Sequence, residues 1–524
     1  MSDRYDVLVI GSGPGGAMAA LPLVRAGARV LMVERGDWVT DPLGATPDAT
    51  PGMLSRYYTT DAAYNADTDL GRKPTGAFFC VGGPTVFYAG VSLRYREADF
   101  VGPAELLADS GARWPYDYHE LAPYYADAEA ILGVSGESGA DPNEPPRSGP
   151  YAMHSPPLTP TAQALHTAAH GLGLHPFRPP LSINRVAGAR AACNACRRCD
   201  GYACAIGAKG NAATVVQTLV EHGMELRSQT AAVKLHAESG RVTAVDCVDV
   251  RDGRRYQVRA DNVILAAGAL ATPHLLLASD LISANPGGRV VGRYLTRHCN
   301  AAVLSLFRRP PGGGVVAYKE FAIHDFYFGH PSKPELERVG IIQQTSLPTA
   351  QVLHEIERPL RPIARKLMPH VMGLIVIAED QPVFENHVAL DAARVDALGM
   401  PTLNIHHRYT KRDLLCRSLL IKEARRIHRA AGSIGSAWRS INTFSHALGT
   451  VRMGDDPATS ALDANGRYRG IDNLYVTDGS ALPTSAAVNP SLTIAATALR
   501  AGTRLAGAAS MHRGASVEVS HQQQ

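Results

Sequence analysis

The stretch Tyr5–Gly36, YDVLVIGSGPGGAMAALPLVRAGARVLMVERG, decides how this 524-residue chain is built. Val7 to Ile10 are apolar without alternation, as expected of a strand covered on both faces. Gly11, Gly13 and Gly16 follow in the spacing G-x-G-x-x-G, ahead of an Ala-rich helix. The first glycine permits a tight turn, the second lets the backbone approach a pyrophosphate, and the third lets helix and strand pack closely. The helix N-terminus then faces the phosphates. A second strand, Val30 to Val33, ends in Glu34, placed where a carboxylate can bind both hydroxyls of an adenosine ribose. Ser12 and Arg35 lie in the same unit and join the candidate cofactor set. The motif predicts a dinucleotide site and does not separate NAD from FAD.

Bulk properties bound the rest. Hydrophobic residues make up 45% and charged residues 19%, an ordinary globular balance, and the net charge is +4. No long basic run occurs, so nucleic acid is not an expected partner. The length exceeds one simple core and predicts two intimately joined domains or one large one. The start, MSDRYDVLVIGSG, lacks the features of a signal peptide. No run of about eighteen uninterrupted apolar residues occurs, so no membrane span is expected. The nearest, VILAAGALATPHLLLASDLI, is broken by Pro273, His274 and Asp280. A cytoplasmic enzyme is the expectation.

Three further segments carry information. NVILAAGALATPHLLLAS (262–279) runs a strand into Ala266, Ala267 and Gly268, small enough to let a main chain pass a flat ligand. FCVGGPTVFYAGVSLRYREADF (79–100) places Gly82-Gly83 in a turn suited to a planar ring. The segment 445–500 holds His446, then Asp478-Gly479 after the β-like run NLYV, then Asn489-Pro490 before a helix. Elsewhere, 109–133 has helical spacing, 135–160 reads as a Pro/Gly/Ser-rich excursion, and 230–270 holds short β-like runs. KRDLLCRSLLIKEARRIHRAAG (411–432) reads as an amphipathic helix with a basic, solvated outer face.

In this order and spacing, the motifs resemble the glucose–methanol–choline (GMC) family of FAD-dependent oxidoreductases, over about residues 5–505. The resemblance implies an α/β fold, with a Rossmann-like FAD-binding domain interleaved with an α+β substrate-binding domain built on an antiparallel sheet. The FAD-binding domain is expected from 1–95, 205–300 and 440–508, and the substrate-binding region from 96–204 and 301–439. Residues 509–524 are expected to be a flexible tail. By the same resemblance His446 is the acid/base and Asn489 its partner, Asp478 lies near the ribityl chain, and the Val233 backbone meets the adenine. Gly82, Gly83, Ala267, Gly268, Gly479 and Pro490 complete the implied cofactor set. The implied reaction oxidises an alcohol to a carbonyl by hydride transfer to flavin N5, with His446 taking the hydroxyl proton. Oxygen or another acceptor then reoxidises the flavin.

Several family members attach FAD through a His just after the Gly-Gly turn. Val86 stands near that place, so non-covalent FAD is expected. The pattern also resembles the pyranose-oxidase-like enzymes and the aminoglycoside alcohol oxidases, which implies a sugar, glycoside or aminosugar hydroxyl. A non-carbohydrate alcohol, or a FAD-containing lyase of the same fold, is the alternative. The aromatics of FAIHDFYFGH (321–330) read as core packing before a sugar-binding face.

Cys193, Cys196, Cys199 and Cys204 form a C-x2-C-x2-C-x4-C run. It is compatible with disulfides or free thiols, with four-thiolate zinc, or with an iron–sulfur cluster, although the last spacing differs from the ferredoxin pattern. Cys80, Cys247, Cys299 and Cys416 read as ordinary buried thiols.

Overall fold

The strand Arg4–Ile10 lies inside a seven-stranded sheet, where Leu8 and Val9 are fully buried. In this computed structural model, residues 4–40, 55–314, 316, 318–345 and 349–521 are described. Strands pair in the order Glu225–Arg227, Val30–Val33, Arg4–Ile10, Arg255–Leu265, Arg241–Asp249, Thr230–Glu238, with Leu474–Val476 also on Arg255–Leu265. The first four of these, and Leu474–Val476, pair in parallel, and the two β-like runs at 230–249 complete the sheet antiparallel. The apolar runs without alternation are therefore the parallel strands, as coverage on both faces requires. Gly11 has φ +101°, and a side chain there would meet the Ala266 carbonyl oxygen at 2.5 Å. A Cβ on Gly16 would stand 2.0 Å from the Gly11 carbonyl oxygen. The helix Pro14–Arg25 can start where it does only with glycine at both places.

A second sheet is antiparallel throughout, in the order Ala322–Ile323, Gly340–Thr345, Val371–Ala378, Cys299–Phe307, Ser433–Ser440. The helix Lys411–Ala430 buries Cys416, Leu420, Ala424 and Ile427 in one core with this sheet. Lys411, Lys422, Arg426 and Arg429 stay exposed, which gives the basic outer face expected of it. Phe321, Phe326 and Tyr327 are buried, so these aromatics of FAIHDFYFGH serve the core. A smaller sheet pairs Tyr58–Thr68 and Gly71–Phe78 with His387–Val395 and Pro401–His406, joining an early segment to a late one.

Within 109–133 only Tyr118–Leu132 is helical, started by the Asp117 side chain accepting from the Glu120 N–H. The last helix, Ser491–His521, runs on past residue 508, where the sequence reading places a flexible tail. Residues 522–524 of that expected tail lie outside the described residues.

Candidate active site

The helix Pro14–Arg25 starts from Gly13 with no side-chain cap on its first N–H groups. A Cβ on Gly13 would meet nothing within 4 Å, so the space in front of this positive helix end is open. That is the cradle a pyrophosphate requires. Glu34 closes the neighbouring strand and is buried; its Oε2 accepts from the Ser12 N–H (3.1 Å) and Oγ (2.7 Å), its Oε1 from the Gly36 N–H (2.9 Å). Burial pushes its pKa up, against these hydrogen bonds. Oε1 keeps a lone pair for a ribose hydroxyl. Gly82 donates its N–H to Ser12 Oγ at 3.0 Å and so brings the Gly82-Gly83 turn against the motif. The Arg35 guanidinium stacks on Phe79, 4.3 Å from the ring centre.

Val233 sits where the pairing of Thr230–Glu238 with Arg241–Asp249 shifts register, between Ala232 and Lys234. A bulge of this kind leaves backbone groups outside the ladder, and these suit the edge of an adenine ring. The open cradle and this bulge fit FAD.

Asp478, implied by the resemblance to lie near the ribityl chain, is satisfied from within the protein. Its Oδ1 accepts from the Ser480 N–H (2.8 Å) and Oγ (2.5 Å), and its Oδ2 from the Gly268 N–H (2.8 Å) and Thr272 Oγ1 (2.5 Å). Four internal donors satisfy the carboxylate, so the protein itself removes the cost of burying it. Burial still pushes its pKa up. Asp478 staples the C-terminal segment to the start of the helix Gly268–Ala278, where Ala267 donates its N–H to Thr272 Oγ1. Gly479 packs under Leu448 and receives the Gly449 N–H on its carbonyl.

His446 and Asn489 meet a set of residues the motifs did not single out. His446 Nδ1 lies 2.9 Å from His298 Nδ1, the rings at 89°. His298 Nε2 reaches the Ser485 and Ala486 carbonyls at 3.1 and 2.8 Å, just before Asn489 and Pro490. One buried imidazole thus bridges His446 to the Asn489 turn. Asn489 Oδ1 accepts from Gln343 Nε2 at 2.8 Å. Burial pulls the His446 pKa down to about 3, with His298 and Lys319 acting in the same direction and Asp380 opposing.

The cysteine run borders this centre. Thr345, on the same strand face as Gln343, donates to Asp200 at 3.0 Å, and Lys319 lies 3.4 Å from the same carboxylate oxygen. Cys193 Sγ is 3.1 Å from the Tyr318 hydroxyl. All eight cysteines are free thiols, so the disulfides weighed from sequence are not formed. Among the described residues no three His, Cys, Asp or Glu side chains gather into a metal-binding group, Cys193, Cys196, Cys199 and Cys204 included. The buried ammonium of Lys209 organises the loop instead, donating to the carbonyls of Tyr88, Cys199 and Tyr202 at 2.7, 2.8 and 2.6 Å.

The signals for the missed residues were present. GIIQQT sets two glutamines in an apolar strand, and VIAEDQ ends another strand in paired acids. His298, in TRHCN, had no signal at all: the partners of its imidazole lie 148 and more residues away.

Two models described as GMC oxidoreductase match residues 78–300 and 382–498, and a model described as FAD binding domain matches residues 4–44. The 6'''-hydroxyparomomycin C oxidase of Streptomyces lividus is 35% identical, covering 98% of this chain and 94% of its own. The paromamine 6'-oxidase of Streptomyces fradiae is 33% identical, covering 96% and 91%. The 2-methyl-1,2-propanediol dehydrogenase of Mycolicibacterium austroafricanum is 30% identical, covering 96% and 95%. The solved pyridoxine 4-oxidase from Mesorbium loti superposes with a TM-score of 0.67 at 20% identity, over 96% of this chain and 99% of its own, a likeness of fold.

Proposed function

Because the chain belongs to the GMC oxidoreductase family and is a FAD-dependent oxidoreductase, we propose that it oxidises a hydroxyl of an aminosugar or related glycoside to the carbonyl. The observation that carries this reading is that His446 and Asn489 are each held by a partner, His298 and Gln343. Relatives named for paromamine and hydroxyparomomycin support the aminosugar class. Their names, and that of the diol dehydrogenase, favour oxidoreduction over the lyase alternative.

The uncapped helix end at Gly13 would hold the pyrophosphate, Glu34 the ribose and the Val233 backbone the adenine. Bound there, FAD would supply the redox chemistry of hydride acceptance. His446 is neutral, because burial holds its pKa near 3, and so can accept the hydroxyl proton. Asn489, its Oδ1 already occupied by Gln343, turns its Nδ2 donors to the substrate oxygen, where negative charge develops. Lys319, which helps to lower the His446 pKa, lies 3.4 Å from Asp200, and the two suit a polar, hydroxyl- and amine-bearing substrate. Val86 is buried near the turn, and we assign FAD as non-covalent, released by acid precipitation. No helix among the described residues is long and apolar enough to cross a membrane, and a cytoplasmic site is part of the proposal.

The test is an anaerobic panel of paromamine, neutral sugars, glycosides and simple alcohols against the purified yellow protein. Bleaching by paromamine ahead of the neutral compounds is the expected result. Bleaching only by simple alcohols would reject the aminosugar assignment, and bleaching by none would count against alcohol oxidation. Readmitted air then reports whether oxygen is the acceptor.

A further inference from the structure

His446 has two ring nitrogens, and only one of them can take a proton from an alcohol. Which one follows from the hydrogen bonds behind it. His298 Nε2 faces two carbonyl oxygens, of Ser485 and Ala486. A carbonyl only accepts, so Nε2 carries hydrogen. His298 is fully buried, and burial holds its pKa below the ordinary histidine value even with Asp380 nearby. The ring is therefore neutral, with one hydrogen, and Nδ1 is bare. That bare nitrogen stands 2.9 Å from His446 Nδ1. Two bare nitrogens would repel, so His446 Nδ1 carries its hydrogen and donates. His446 Nε2 is left bare.

The surroundings hold His298 to this duty. Its backbone sits at φ 61°, a left-handed conformation uncommon for residues other than Gly, although Asn, Asp and His adopt it more often than most. Asp380 fixes that backbone: Oδ1 takes the His298 N–H at 3.1 Å and Ser485 Oγ at 3.0 Å, and Oδ2 takes the Arg297 N–H at 2.8 Å. The Tyr409 hydroxyl donates to the His298 carbonyl at 2.8 Å. One carboxylate thus ties down both the His298 backbone and the turn whose carbonyls set the tautomer of its ring.

We propose that His298 is a positioning residue that fixes His446 as the Nδ1–H tautomer, leaving Nε2 as the proton acceptor. The proposal rests on the reading of His446 as the base. When the alcohol O–H bond breaks, its proton forms a bond with His446 Nε2, while the Nδ1–H bond to His298 is kept. His298 touches neither substrate nor flavin in this scheme.

The test reads the tautomer directly, by 15N NMR of the FAD-bound protein labelled at histidine, with no alcohol present. Wild type should show His446 protonated at Nδ1 and bare at Nε2. His298→Leu removes the acceptor and should shift His446 toward the Nε2–H form. His298→Asn, which tolerates the positive φ and offers a side-chain oxygen, should restore the wild-type pattern. Retained flavin in both variants controls for folding; should His298→Leu not fold, the wild-type and His298→Asn spectra decide. An Nε2–H tautomer in wild type, or a His298→Leu spectrum unchanged from wild type, overturns the proposal. The readout is independent of turnover, so its failure is distinct from failure of the alcohol-oxidation reading, which flavin reduction tests.

Discussion

Gln343 Nε2 donates to Asn489 Oδ1 at 2.8 Å, and this one bond joins the antiparallel sheet to the turn that opens the C-terminal helix. Gln343 is completely buried. The bond decides which end of the Asn489 amide faces the substrate.

Gln343→Glu keeps the shape and replaces the donor with an acceptor. Asn489 should then turn its Nδ2 to residue 343 and offer an oxygen to the substrate oxygen. The loss of one hydrogen bond to developing charge is about 1.5–3 kcal/mol, so kcat should fall about ten- to a hundredfold with FAD still bound. An unchanged kcat would mean that Asn489 is not held in this sense.

The pH profile follows from His446. Burial is the main cause of its lowered pKa; His298 and Lys319 add to it and Asp380 opposes. The neutral base therefore persists as pH falls through the ordinary histidine value. kcat/KM should stay flat from pH 8 to about 5, where an unshifted histidine of pKa about 6.5 would have lost more than about 90% of its base form. An acid limb centred near pH 6.5 would contradict the assignment.

Two glycines of one motif should fail in different ways. A Cβ on Gly13 enters open space, so Gly13→Ala should fold with an unchanged melting temperature and lose FAD affinity at least about tenfold. A Cβ on Gly16 would collide with the Gly11 carbonyl at 2.0 Å, so Gly16→Ala should lose about 1–3 kcal/mol of stability. Flavin titration and thermal melting separate the two, and equal behaviour would refute the cradle.

This contrast shows how far the sequence could be read. Val7 to Ile10, the glycine spacing and Glu34 gave the parallel sheet and the nucleotide end, because such features are local. The second sheet and the setting of His446 are not local. His298, Gln343 and Asp380 act across 82 to 188 residues of chain, and no spacing rule connects them. Asp478 was found by its place in the chain, but its burial is explained by Ser480, Gly268 and Thr272, partners that only the fold brings together.

Lys209→Met tests the cysteine loop. Methionine keeps the stem and removes an ammonium bound to three carbonyls. The variant should lose about 1–3 kcal/mol of stability, and buried Cys199 should become reactive to a thiol reagent in the native protein. A loop that stays ordered, with Cys199 still protected, would show that Lys209 does not organise it.

The central claim is that His446 takes the alcohol proton while the bound flavin takes the electrons. The most direct measurement is anaerobic flavin reduction, wild type against His446→Ala, with the alcohol that bleaches the wild type. The variant should retain its full flavin spectrum, with reduction slowed about a hundredfold to ten-thousandfold. Reduction of His446→Ala at the wild-type rate would contradict the account.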